Sequence, residues 1–127
     1  MSDTARQFVR FVGVGAIATA AHYALLIGLV TAGVLSPVPA SAAGAVLGAL
    51  VSYGLNRRYT FRSSRAHAAA LPRFLTVAAL AFLANLCLMV LLHSLAGLPY
   101  LLAQMLTTGL VLGLTFTLNR AWSFRQP

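Results

Sequence analysis

Leu55-Asn56-Arg57-Arg58-Tyr59-Thr60-Phe61-Arg62 returns near the C-terminus as Leu118-Asn119-Arg120-Ala121-Trp122-Ser123-Phe124-Arg125, each residue 63 positions after its counterpart. Both copies read Leu, Asn, Arg, any residue, aromatic, hydroxyl, Phe, Arg, and both close a long uncharged run. The offset extends outward from them without a gap. Arg10-Phe11 matches Arg73-Phe74, Ala21-His22 matches Ala84-Asn85, Leu25 matches Leu88, and Ser36-Pro37 falls on Pro99-Tyr100. The chain therefore reads as two copies of one unit, repeat 1 over residues 8–63 and repeat 2 over 71–126, within a single domain 1–127.

The runs between these markers set the solvent. Phe11 to Asn56 and Phe74 to Asn119 are each 46 residues without Arg, Lys, Asp or Glu. A span needs about 20 residues, so each run is two spans. The breaks fall at Ser36-Pro37-Val38-Pro39, where two prolines stop a helix, and at Gly97-Leu98-Pro99. Spans are expected over about 8–34, 40–56, 73–96 and 101–119, with residues 1–7 as a short polar tail frayed or lying at the membrane surface. Composition agrees: of 127 residues 60% are hydrophobic and only 8% charged, against about 25% in soluble domains. The fold class is an all-α integral membrane protein of four transmembrane helices, built from two parallel two-helix repeats. Ala40-Ser41-Ala42 has the form of a signal cleavage site, but the run before it exceeds the 7–15 residues of a signal core.

Charge sets the expected orientation. Arg6 and Arg10 precede the first span, Arg57, Arg58, Arg62, Arg65 and Arg73 lie between the second and third, and Arg120 and Arg125 follow the fourth. All nine basic residues fall on one side and none on the other, which makes that side, with both termini, cytoplasmic. The net charge of +8 is a topology and anionic-lipid signal; no soluble basic face or motif points to nucleic acid. Lone Cys87 supports neither a disulfide framework nor a metal site. No nucleophile with a base, metal cluster or phosphate loop suggests an enzyme, and no cofactor is implied.

Small residues suggest close helix contacts: Ala16, Ala20, Ala24 and Gly28 on the first span, Gly44 and Gly48 continued by Ser52 on the second, Gly109 and Gly113 on the fourth. The glycine pairs do not coincide under the repeat, since Gly44 maps to Thr107. Two residues is about 200° around a helix, so one pair is expected inside the bundle and the other between subunits.

Arg10-Phe11, Val12-Gly13-Val14-Gly15, Thr19 and His22-Tyr23, followed by Tyr53-Gly54-Leu55-Asn56-Arg57-Arg58-Tyr59-Thr60-Phe61, resemble the helix signatures of the GtrA-like family. The resemblance covers nearly the whole chain and implies a role in surface polysaccharide or cell-envelope glycosylation. It implies movement of a polyprenyl-phosphate-linked sugar across the bacterial inner membrane, and a polyprenyl-phosphate glycosyltransferase as a partner. One position departs: His22 stands where many members carry an acidic or amide residue, while Asn85 keeps the amide. No carboxylate lies in any span, which speaks against carboxylate-based proton coupling.

Two groups of candidate binding residues follow. Asn56, Arg57 and Arg62, with Asn119, Arg120 and Arg125, sit at the arginine-rich ends, joined by Arg10 and Arg73 at the start of the odd-numbered spans. Guanidinium forks suit phosphate oxygens, and Tyr59, Phe61, Trp122 and Phe124 suit an interface or a sugar face. Snorkelling and an aromatic belt explain the same residues without a ligand. His22 and Asn85 form the second group, each 12 residues past its arginine, about 18 Å along a helix and near mid-membrane. They line a path for the headgroup, or His22 acts as a proton-sensitive switch, or the pair only holds the fold. Gln104, Thr107, Thr108, Thr115 and Thr117 offer a polar face on the fourth span, but threonine commonly bonds its own helix. His67 and His93 carry no assigned role. Four short helices leave little room for a path, so a homo-oligomer, a dimer first of all, is expected. The alternative to a translocator is a non-transporting subunit that positions a glycosyltransferase. A small multidrug exporter would want a membrane carboxylate, and the only acid is Asp3.

Overall fold

The computed structural model describes residues 2–55 and 64–118. Among them all regular structure is helical: α1 (Asp3–Thr31), α2 (Pro37–Leu55), α3 (Ser64–Met89) continued by a π-helical segment (Val90–Leu95), and α4 (Tyr100–Leu118). Val12–Thr31, Pro37–Leu55 and Pro72–Leu95 are long and apolar enough to cross a membrane, and α4 adds a shorter apolar helix, Tyr100–Thr115. α2 and α4 are each 19 residues long and begin 63 positions apart.

Helix ends depart from expectation for local reasons. Residues 3–7 belong to α1 rather than to a tail. Ser2 caps the helix by accepting the Ala5 N–H at 3.1 Å, and Asp3 places its charge in the first turn, where the helix dipole favours an anion. α1 closes with a left-handed Gly33 (φ 71°), the Val34 N–H reaching the Leu29 carbonyl and the Gly33 N–H that of Val30, a Schellman motif. α2 starts at Pro37, not after the prolines. Pro37 and Pro39 both fall in the first turn, where the backbone N–H has no partner within the helix and its loss costs nothing. α3 starts at Ser64 and runs through Pro72, one turn beyond which the Thr76 hydroxyl donates to the Pro72 carbonyl. Its far end widens into i→i+5 bonding, the Ala96 N–H reaching the Leu91 carbonyl, before left-handed Gly97 (φ 77°) turns the chain.

Neighbouring helices run antiparallel. Gly44 lies against His22 and Gly48 against Ala18, so α2 descends where α1 rises. On α2 and α3, Ser41 meets Asn85 and the Tyr53 ring meets that of Phe74, centroids 4.8 Å apart. Asn85 meets Gln104 across α3 and α4. Arg10, Arg73 and the C-terminal ends of α2 and α4 therefore share one end of the bundle, and both interhelical turns share the other.

The bundle is apolar outside and partly polar inside. Leu95, Leu50 and Val34 are among many large aliphatic residues on the outer faces, while Ser41, Asn85, Gln104 and Thr107 are buried beside Val14, Ala18, Leu26, Ala40, Val77, Met89 and Ala103. In water this would be an aggregating surface around an expensive core. In lipid the apolar exterior costs nothing, and small residues and interhelical hydrogen bonds take over the work of holding helices together. The inward face of α1 is Val14, Ala18, His22 and Leu26, not the stripe Ala16, Ala20, Ala24 and Gly28, which is exposed. Gly44 and Gly48 are the internal glycine pair: a Cβ on Gly44 would lie 2.6 Å from the His22 carbonyl oxygen, one on Gly48 3.1 Å from that of Ala18. Gly109 and Gly113 are exposed, with open space around them among the described residues.

Candidate functional site

Each of the four helices sends a polar side chain to one point inside the bundle. Asn85 Nδ2 on α3 donates to Ser41 Oγ on α2 at 2.8 Å. Ser41 Oγ donates in turn to Gln104 Oε1 on α4. Gln104 Nε2 closes the circuit by donating to Asn85 Oδ1 at 3.0 Å. The result is a ring of three hydrogen bonds in which every member both gives and accepts, an arrangement in which each bond polarises the next. Gln104 Nε2 also reaches Thr108 Oγ1 at 3.3 Å, and Thr108 Oγ1 pairs with the Tyr23 hydroxyl of α1 at 2.7 Å. All four helices are thereby tied into one network.

Two buried polar atoms stand beside the network with no hydrogen-bond partner among the described residues: His22 Nε2 and Thr107 Oγ1. His22 is half-buried, stacked edge-on to Tyr23 with ring centroids 5.5 Å apart, and faces the Gln104 side chain and the Ser41 backbone. Thr107 is fully buried. It differs from its helical neighbours. Thr115 and Thr117 bond carbonyls of their own helix at 3.0 and 2.8 Å, whereas Thr107 does not.

His22 and Asn85 fall near the middle of the apolar stretches Val12–Thr31 and Pro72–Leu95, while their partners on α2 and α4 lie nearer the turns. Ser41 and Gln104 each lie four residues inside the turn-end of their helices, about 6 Å, and 14 residues from the described arginine-end limits Leu55 and Leu118, about 21 Å. Arg10 and Arg73 are exposed at the opposite end. The sequence-derived candidates thus split into two places: the structure brings His22 and Asn85 to one cluster and leaves Arg10 and Arg73 about 18 Å along the helices from it. Asn56, Arg57, Arg62, Asn119, Arg120 and Arg125, with the aromatic residues Tyr59, Phe61, Trp122 and Phe124, lie outside the described residues, as does the side chain of His67.

Sequence reasoning passed over Ser41 and Tyr23 and set Gln104, Thr107 and Thr108 aside. A signal was present: Ser41 and Gln104 stand 63 positions apart, as do His22 and Asn85 and also Gly44 and Thr107. Gly44, which lies against the His22 ring, corresponds at this offset to the larger Thr107, and His22 to the smaller Asn85. His93, given no role from sequence, pairs its Nδ1 with the Leu98 carbonyl at 2.8 Å and pins the turn after the π-helical segment. Among the described residues no group of three His, Cys, Asp or Glu side chains assembles a metal site, and Cys87 is exposed.

A helical bundle with a lipid-compatible exterior and an uncharged polar cluster between its helices defines a polytopic membrane protein. Residues 10–124 match the model of the GtrA/DPMS transmembrane domain, and the chain belongs to that family. The family places it among membrane proteins of glycosylation and sugar-lipid processes, whose GtrA-like domains are typically non-catalytic. No curated protein and no solved structure matches the chain.

Proposed function

We propose that this protein moves a polyprenyl-phosphate-linked sugar across the bacterial inner membrane for surface polysaccharide or cell-envelope glycosylation. The observation that carries the reading is the ring of Ser41, Asn85 and Gln104 buried between helices whose outer faces are apolar. Polar side chains at membrane depth are costly, and they mark substrate pathways in membrane proteins. In this reading the two repeats run parallel with both termini in the cytoplasm. The arginines at that end (Arg10 and Arg73, with Arg57, Arg62, Arg120 and Arg125) receive the lipid phosphate, assisted by Asn56 and Asn119. The cluster is then the next polar station for the headgroup on its way out. The outward Gly109–Gly113 face of α4 is the natural seam of a homodimer, and a membrane glycosyltransferase is the expected working partner.

A second reading is a non-transporting subunit that holds a glycosyltransferase at its lipid substrate. One observation favours it: Ser41, Asn85 and Gln104 bond one another in a closed ring, each giving and accepting a bond within it, as in a ring that only locks the fold. Reconstitution into liposomes with a fluorescent short-chain polyprenyl-phosphate sugar, followed by protection from an external quencher, separates the two. Translocation above empty liposomes that is lost in Arg10→Ala/Arg73→Ala supports a translocator. Specific lipid binding without translocation supports the anchoring subunit.

A further inference from the structure

We infer that the cluster at the turn-end of the bundle is a binding station for an uncharged sugar, with Thr107 Oγ1 and His22 Nε2 as its open contacts. The inference rests on the reading that a lipid-linked headgroup enters the bundle, and it names what that headgroup must be.

The two unpartnered atoms are the starting point. Buried polar groups without partners are rare and each calls for a reason, because every one forfeits its bonds to water. A threonine in a helix has a partner within reach, the carbonyl one turn back, and Thr115, Thr117 and Thr76 all use it. Thr107, fully buried, leaves that partner unused. A hydroxyl held in this way beside an amide network is bonded by whatever enters the cluster.

The chemistry of the neighbours selects the ligand. Ser41, Asn85, Gln104, Thr107, Thr108, Tyr23 and His22 each offer both donor and acceptor capacity. Sugar hydroxyls do the same, so a sugar exchanges hydrogen bonds with this set one for one and leaves none broken. A phosphate or a carboxylate offers acceptors alone. It would meet the carbonyl oxygens of Asn85 and Gln104 with no permanent cation to balance it, since 11–56 and 74–119 contain no Arg or Lys. An ammonium-bearing sugar fares no better, as those stretches contain no Asp or Glu. The cluster therefore takes a neutral, hydroxylated headgroup and rejects uronate and amino-sugar conjugates, while the phosphate is left to the arginine end.

The test is equilibrium binding to the full-length protein in lipid nanodiscs. The probes are short-chain polyprenyl phosphate bearing glucose, the same lipid bearing glucuronate, and the bare lipid phosphate. The wild type is expected to bind the glucose conjugate about tenfold more tightly than either of the others, the value of one to two hydrogen bonds. Thr107→Val removes a hydroxyl that has no hydrogen-bond partner among the described residues, so it leaves the fold intact while abolishing most of that preference; Thr107→Ser keeps it. Equal binding of the three probes by the wild type, an undiminished preference in Thr107→Val, or a preference lost equally in Thr107→Ser overturns the inference. Liposome translocation read in parallel keeps the two claims apart. Transport without sugar preference sinks this inference alone, and sugar preference without transport sinks the translocator alone.

Discussion

Ser41 and Gln104, 63 residues apart in the chain, hydrogen-bond to each other inside the bundle, each one turn in from the start of its helix. Asn85 bridges both. Removing any one of the three strands two polar partners in an apolar surround, which is dearer than removing all of them together. Asn85→Leu is expected to lower stability by about 1–3 kcal/mol, read from thermal melting in detergent. A Ser41→Ala/Gln104→Ala double-mutant cycle should return a coupling of about 1 kcal/mol, the upper part of the range for interhelical bonds in lipid. A coupling of zero would dissolve the ring as an energetic unit.

The contact of Gly44 with His22 is backbone on backbone as well as backbone on ring. Gly44→Ala should cost about 1–3 kcal/mol, because the helices must part. His22→Ala should relieve only a fraction of that, since the His22 carbonyl stays in place. Gly48→Ala, with more room, should cost less. Equal melting temperatures for wild type and Gly44→Ala would disprove this packing of α1 on α2.

A Cβ added at Gly109 or Gly113 would meet nothing within 4 Å among the described residues. Alanine at either position should leave the unfolding free energy of the isolated protomer within about 0.5 kcal/mol of wild type, as for exposed sites elsewhere. The expected effect is on association: bulky Gly109→Leu/Gly113→Leu should shift the protein from dimer to monomer in analytical ultracentrifugation. An unchanged oligomeric state would move the seam to another face, the exposed Ala16–Gly28 stripe of α1 being next in line.

Ser2 and Ser36 are exposed at opposite ends of α1. In a Cys87→Ser background, Ser36→Cys should react with an impermeant thiol reagent added to intact spheroplasts, and Ser2→Cys only after lysis. The reverse pattern would invert the orientation that the arginine distribution implies.

His93 spans the turn after the π-helical segment by pairing with the Leu98 carbonyl. His93→Ala leaves that carbonyl unsatisfied beside left-handed Gly97, a loss of about 1 kcal/mol. Hydrogen exchange should quicken at residues 93–98 and stay unchanged at the corresponding turn 30–35, which has its own Schellman bonds. Uniform protection of both turns would assign His93 no structural part.

The four helices, their breaks and their apolar character were legible in the amino-acid sequence because each depends on a local quantity. Uncharged runs of 46 residues must be divided, and proline and glycine say where. The family signature was legible for the same reason. Helix starts were misjudged at Pro37 and Asp3, where first-turn chemistry tolerates residues that forbid a helix interior. What lies inside was decided by tertiary structure alone. Each residue turns a helix by about 100°, so which polar residues meet depends on the rotation of every helix against its neighbours, and close approach at Gly44 and Gly48 sets that rotation for α1 and α2. From sequence Thr107 and Thr115 are the same residue on the same helix. Only the packed bundle turns the Thr107 hydroxyl from its own backbone into a buried, unmet polar site.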